Sequence, residues 1–301
     1  MSNTKTKTPK AAKSPSRRFL EILFNWKALS FVVLLFYTAL ALGPLYLMVV
    51  SSMIPLGDTL SIDKLQLFPT HPKWDNLAKF NARVSGDLAR WFLNSLVVST
   101  IPVISGLIFS LLAGYALTKM RFPGREFLFW TIIATMTIPY FVILIPMYEM
   151  VWAFRWVDTY AVLLIPSMAG IGGVFLSRQF IQTLPSSLLE SARIDGCGEF
   201  GIFKHVIVPL CKPLMALLAI MGFVSAWGDY FWPYLVINSR TLYTVQMGIV
   251  SLIGVDKQYT GNLDYAEIMA ASLAASIPVL IVFLAAQKQF VKGLTMGAIK
   301  G

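Results

Sequence analysis

The segment from Pro185 to Pro209 reads PSSLLESARIDGCGEFGIFKHVIVP and brings Glu190, Arg193 and Asp195 close to the small residues Ser191, Ala192 and Gly196. This pattern suits docking. Glu190 and Asp195 can form charge-assisted hydrogen bonds with basic groups of a partner, Ser191 and Ala192 allow close approach, and Gly196 permits the turn that would present the segment. Ser187 and Glu190 have the S-x-x-E spacing of a capping box, so a helix of about eight residues, ~12 Å long, is expected to start there. Gly196 or Gly198 is expected to end it in a left-handed conformation. A second short helix should follow from Glu199, with Phe200 and Phe203 on one face, until Pro209 leads into an apolar run. An S-x-x-E match alone marks only a capped, solvated helix. The combined spacing of Glu190, Gly196 and Pro209 is what asks for more.

A second constellation gathers Trp227, Tyr230, Phe231, Trp232 and Tyr234 around Asp229. Sugars stack their apolar faces on such rings while an acid takes their hydroxyls, which makes Trp227, Asp229, Tyr230 and Trp232 candidates for a substrate path. An interfacial aromatic belt accounts for the same residues. Other chemistry is missing. No Gly-Lys dipeptide occurs, so the phosphate-cradling loop of P-loop ATPases is absent, and any ATP and its magnesium would belong to another subunit. Cys197 and Cys211 fit no ligand or redox spacing, and His71 and His205 lie far apart, so no catalytic, metal or cofactor-binding residue is expected.

These residues must be positioned by a chain that is 56% hydrophobic and only 13% charged over 301 residues. A soluble domain carries about a quarter charged residues, so this is an integral membrane protein. Six uncharged stretches run from Ala28 to Gly57, Trp91 to Thr118, Phe127 to Tyr148, Thr159 to Ser177, Pro213 to Gly228 and Ile268 to Gln287. A crossing needs roughly 20 apolar residues. The fifth stretch reaches that length if extended past Asp229 to Tyr234, and the expected fold is all-α with six transmembrane helices. Assigning loops to alternate sides collects 17 of the 25 Lys and Arg on the side of both termini, and 10 of the 15 acids on the other. Basic loops mark the cytoplasm, so both termini, and the short helix between spans four and five, are expected inside.

The resulting organisation is a flexible basic tail over 1–27, a first span at 28–57, an outer loop at 58–90, a membrane core at 91–289 containing the loop 185–209, and a cytoplasmic tail at 290–301. The first apolar run exceeds the 7 to 15 residues of a signal-peptide core, so it is expected to stay as a helix. Pro44, Pro102, Pro139, Pro146, Pro166 and Pro278 fall inside spans and are expected to bend them, and the small residues from Ala169 to Gly173 permit close helix contact. The uncharged stretches hold no ionisable residue at mid-depth, where ion-coupled carriers often place one. A stand-alone secondary carrier also predicts internal repeat symmetry, which is not visible, and a channel or scaffold leaves the segment from Glu190 to Pro209 without a purpose.

ESARIDG, followed nine residues later by VIVP, resembles the EAA-x3-G-x9-I-x-L-P signature of the membrane subunits of binding-protein-dependent ABC importers. Ser191 replaces Ala, Val206 replaces Ile and Val208 replaces Leu, while the glutamate, glycine and proline are kept. The likeness runs roughly from Trp91 to the end of the chain, through Asn94-Ser95, the run from Trp227 to Pro233 and the ending QFVKGLTMGAIKG, and points to the carbohydrate branch, of the maltose and glycerol-3-phosphate permease type. The resemblance implies a bacterial-type inner-membrane subunit forming half of a pore for a sugar or related polyol phosphate. It implies a second membrane subunit, two ATPase subunits that carry ATP and magnesium, an extracytoplasmic solute-binding protein and membrane lipid as partners, and no nucleic acid. Glu190, Ser191, Ala192, Arg193, Asp195, Gly196 and Pro209 would couple to the ATPases, Gly293, Gly297, Lys300 and Gly301 would reach between them, and the outer segment from 238 to 264 would face the binding protein.

Overall fold

The computed structural model describes residues 26–54, 68–69, 71–259 and 265–298, and among them every regular element is helical. In chain order these are α1 (Trp26–Ser52), α2 (Asn76–Arg83), α3 (Leu88–Lys119), α4 (Arg125–Met136), α5 (Tyr140–Ala153) and α6 (Tyr160–Leu164), which continues through a 3-10 turn at Ile165–Ser167. Then come α7 (Ile171–Gln182), α8 (Ser186–Ile194), α9 (Glu199–Ile202), a π turn at Phe203–Ile207, α10 (Val208–Leu210), α11 (Lys212–Gly228), α12 (Phe231–Val236), α13 (Val245–Tyr259) and α14 (Tyr265–Ala298).

Four stretches are long and apolar enough to cross a membrane, Ala28–Ser52, Leu88–Lys119, Tyr160–Gln182 and Tyr265–Gln287, and the number becomes six if each of two bent pairs makes one crossing. The bend at Pro139 was expected, whereas the bend ahead of α11 was not. α4 and α5 meet at 100° where Pro139, with ψ of 139°, has no amide hydrogen to give and disfavours helix in the residue before it. The α9–α10 segment meets α11 at 74°, with Pro213 in the first turn of the new helix, where its missing N–H costs nothing. The extension from Asp229 to Tyr234 is not continuous either: Asp229 is extended, with ψ of 122°, and the chain restarts as α12. By contrast, Pro44, Pro102, Pro146 and Pro278 sit within unbroken helices. α14 carries the last span onward through Gly293 and Gly297, so much of the expected separate tail is helical, while Lys300 and Gly301 lie outside the described residues.

The long helix α3 is the centre of the bundle and packs on α7 at backbone distance. A Cβ on Gly114 would lie 2.5 Å from the Ser177 Cβ, and one on Gly173 would lie 2.3 Å from the Ser110 hydroxyl. Of the small-residue run 169–173, Gly173 makes this approach, whereas Gly170 faces open space. Three apolar clusters fix the rest. One end holds Phe80, Trp91, Phe223, Trp227 and Val245, an adjoining group holds Val98, Val151, Val162, Trp232 and Met247, and the other end holds Leu111, Tyr115, Ile181, Leu189, Ile202 and Phe203. α1 leaves Leu34, Phe36 and Tyr37 exposed, as befits a helix solvated by lipid chains.

Candidate functional site

The segment from Pro185 to Pro209 folds as a knob of two short helices at the end of the bundle that carries Lys119 and Arg178. α8 begins at Ser186, two residues earlier than the capping box requires; Pro185 holds the N-cap position and no side chain caps the helix. The expected Ser187–Glu190 box is therefore not formed. Instead Lys119, at the end of α3, donates from Nζ to the Leu184 carbonyl at 2.8 Å and to the Ser186 hydroxyl at 3.4 Å, tying the entry of the knob to the central helix. The far end of α8 follows the sequence closely. The Gly196 amide bonds to the Arg193 carbonyl at 3.1 Å and the Cys197 amide to the Ala192 carbonyl at 2.9 Å, with Gly196 at φ of 82°. That is a Schellman cap, which a β-branched residue at 196 would strain.

Leu189 is buried and anchors α8, and Ala192 packs against the same cluster. Glu190, Ser191, Arg193, Asp195 and Gly196 are exposed. Arg193 is not free for a partner, because its Nε donates to Glu199 Oε1 at 3.0 Å across the turn. Glu199 in turn accepts a short hydrogen bond from the Tyr115 hydroxyl of α3. The Tyr115 bond and then Arg193 hold the Glu199 carboxyl below the usual glutamate range. Phe200 and Phe203 do not share a surface: Phe203 is buried with its ring 5.9 Å from that of Tyr115, whereas Phe200 is 74% exposed, as is Ile194 at 86%. The protruding face of the knob is thus apolar at Ile194 and Phe200, with Glu190 and Asp195 as free acids among the described residues. Sequence reasoning credited the charges and missed these two apolar tips. It also missed the Tyr115–Glu199 tie and the Arg178–Glu126 pair, whose two 2.9 Å bonds join α7 to α4 with the guanidinium 3.5 Å over Phe129. The available signal was the position of Arg178 directly after the uncharged stretch that ends at Ser177, since a charge at the edge of an apolar helix needs a counterion if it is buried. Pro209 is exposed in α10 and leads through Cys211 into α11.

The aromatic constellation separates into different places. Asp229 and Trp232 border a cavity of about 700 Å³ lined also by Ser110, Tyr140, Gly173 and Ser225. Asp229 Oδ1 accepts the amides of Phe231 at 3.0 Å and Trp232 at 3.4 Å, so it also caps α12. Tyr230 stands exposed, outside that lining. Trp227 departs from the expectation: it is buried, stacks on Phe223 at 5.5 Å and donates its indole N–H to the Ala275 carbonyl at 2.9 Å, a packing position between α11 and α14.

Past the cavity, at the end opposite the knob, α3 grips the loop before α13. Trp91 Nε1 donates to the Arg240 carbonyl at 3.1 Å, Asn94 Nδ2 to the Thr241 and Tyr243 carbonyls at 2.9 Å, and the Ser95 hydroxyl accepts the Val245 amide at 2.8 Å. Asp158 accepts the amides of Asn238 at 2.9 Å and Ser239 at 2.8 Å, along with the Ser239 hydroxyl.

An all-helical membrane bundle with a capped knob at one end and a cavity walled by its long helices is built as a transport subunit. The chain belongs to the family of binding-protein-dependent transport system inner membrane components, which matches residues 106–296. It is 33% identical over 263 residues to the arabinooligosaccharides transport system permease protein AraQ of Bacillus subtilis (strain 168), covering 87% of this chain and 92% of that one. It is 36% identical over 202 residues to the sn-glycerol-3-phosphate transport system permease protein UgpE of Salmonella choleraesuis (strain SC-B67), covering 67% of this chain and 71% of that one. A crystal structure of a bacterial ABC transporter involved in the import of the acidic polysaccharide alginate has a chain of the same fold, with a TM-score of 0.75 at 23% identity, covering 94% of this chain and 100% of that one. The chain is therefore a multi-pass inner-membrane permease subunit of a binding-protein-dependent importer.

Proposed function

We propose that the chain forms half of the pore of an ATP-driven sugar importer, crossing the membrane six times with both termini and the knob in the cytoplasm. The bent pair α4–α5 then makes one crossing, and α11, beyond its bend from the cytoplasmic knob, makes another, consistent with the basic bias of the loops on the knob side. A second membrane subunit completes the pore, two ATPase subunits carry ATP and magnesium, and a solute-binding protein delivers cargo from outside. Glu190, Ser191, Ala192, Asp195 and Gly196 form the docking helix, Arg193 braces it through Glu199, and Pro209 connects it to the fifth span. Gly293, Gly297, Lys300 and Gly301 belong to the stretch that reaches between the ATPases. The names of relatives that carry arabino-oligosaccharides and glycerol-3-phosphate support a sugar or polyol as cargo.

The observation that carries the docking role is the knob itself: a helix held from behind by Leu189 and by Tyr115–Glu199–Arg193 while Ile194, Phe200 and the free acids point outward. Such a helix can seat in a groove and pass a displacement to α3. The test is ATP hydrolysis stimulated by loaded binding protein in reconstituted complexes. Glu190→Lys and Gly196→Val should both abolish stimulation and uptake while leaving membrane insertion intact. Wild-type stimulation in both variants would remove the knob from the mechanism.

A further inference from the structure

Building on the importer reading, in which the cavity beside α3 is this chain's wall of the pathway, we infer that the wall selects uncharged saccharide over anionic cargo, with Asp229 setting the preference. Among the residues lining the cavity, Asp229 is the one with an acidic side chain, and no Lys, Arg or His is present. No ion pair neutralises it among the described residues. Its Oδ1 is held by the Phe231 and Trp232 amides, which fixes the carboxylate at the cavity wall rather than leaving it free to swing away.

The remaining lining is apolar, aromatic or hydroxylic, with Ser225 and Tyr140 offering hydroxyls and Phe231 offering a ring, while Ser110 and Trp232 stand behind them, buried and bonded to the Gly170 and Val162 carbonyls. A neutral sugar ring finds what it needs there: a ring face to stack on, hydroxyls to exchange bonds with and one strong acceptor. A phosphate or uronate would instead meet a like charge with no cation to offset it, and charges in an apolar-walled volume are poorly screened. The names of the relatives leave neutral and anionic cargo equally open. The wall of this chain sides with the neutral class.

The experiment reads the field of the cavity without needing the native cargo. Ser225→Cys is made in a Cys197→Ser, Cys211→Ala background, and the full complex is reconstituted with its ATPases and second membrane subunit. Reaction rates of the thiol at position 225 with anionic and with cationic methanethiosulfonate reagents are each normalised to free cysteine. The cationic reagent should be favoured roughly fivefold, the ratio for opposite unit charges about 8 Å from a carboxylate in water. Asp229→Asn keeps an acceptor for the two amides, so α12 stays capped, and should bring the ratio close to one. An unchanged ratio in Asp229→Asn, a faster anionic reagent in the wild type, or ATP-driven accumulation of glycerol-3-phosphate or trigalacturonate would overturn the inference. If neither reagent reacts in any nucleotide state although the thiol is alkylated after denaturation, the cavity lies off the pathway and the importer reading of this wall falls with it. Reaction without charge preference removes only the role of Asp229.

Discussion

The two ends of α3 are fastened by different chemistry. At the end away from the knob, Trp91, Asn94 and Ser95 bond directly to the backbone of residues 240–245, and the Tyr160 hydroxyl completes Asn94 at 2.6 Å. Those groups are buried or half-buried, and Gly248 is pressed so close to Trp91 that a Cβ would lie 2.2 Å from the ring. At the knob end, Lys119, Arg193 and Glu199 join side chains that are half-buried or exposed around the buried Tyr115 ring. Buried bonds to backbone cost about 1–3 kcal/mol per group when a partner is removed, whereas exposed ion pairs contribute about 0–1 kcal/mol. One end is a clamp and the other a joint that can yield, the arrangement expected of a helix that receives motion at one end and holds its shape at the other.

The largest effect is expected at the clamp. Asn94→Ala leaves the Thr241 and Tyr243 carbonyls and the Tyr160 hydroxyl without a partner. A loss of about 3 kcal/mol or more, from three groups at about 1–3 kcal/mol each, should lower the thermal midpoint in detergent and the yield of folded protein. An unchanged midpoint would show that water replaces the amide and that this end is no clamp.

At the joint, Tyr115→Phe and Glu199→Gln should behave the opposite way, with melting changed by less than about 1 kcal/mol. Binding-protein-stimulated ATP hydrolysis should fall on the order of tenfold, because the tie between knob and α3 is the one removed. Comparable stability losses at both ends would erase the contrast.

How much of this was legible in sequence follows the range of the interactions involved. The Gly196 cap and the break at Pro139 are written in a few neighbouring residues, and both formed as the local chemistry required. The Tyr115–Glu199 tie joins residues 84 apart and Arg178–Glu126 joins residues 52 apart, so neither could be paired before the helices were arranged. Trp227 and Trp232 looked equivalent as aromatic neighbours of Asp229. The chain break at that aspartate turns one into the α11–α14 packing and the other into the apolar cluster around Val162 behind the cavity. The six-span reading came from uncharged length; Pro139 marked where the third run bends, but an angle as large as 100° is set by packing that residue counts do not register.

The clamp end also carries a titratable fastening. The Ser239 hydroxyl first, then its amide and that of Asn238, hold the Asp158 carboxyl below its ordinary value of 3.8. With the folded value depressed, the stabilisation is complete above the unfolded value and is lost as pH falls through the lower folded one. Thermal stability should therefore be insensitive to Asp158 at neutral pH and decline below about pH 4, and Asp158→Asn should flatten that part of the profile. An acid limb of the same size in Asp158→Asn would assign it to other groups.

The smallest effect tests the knob's entry. Had Ser187 capped α8, Ser187→Ala would cost about 1 kcal/mol, as loss of an N-cap hydroxyl does. In the structure Ser187 lies inside the first turn, exposed, with Pro185 at the N-cap position and no capping bond. Proline there brings no side-chain acceptor, and the end is held from outside by Lys119 reaching the Leu184 carbonyl. Ser187→Ala should thus change stability by less than about 0.5 kcal/mol and leave stimulated ATP hydrolysis intact. Lys119→Met, which keeps an aliphatic stem and removes the donor, should loosen the knob and reduce stimulation. If the serine variant were the more damaging of the two, α8 would start with its capping box after all, and its position would be set from within the knob rather than by α3.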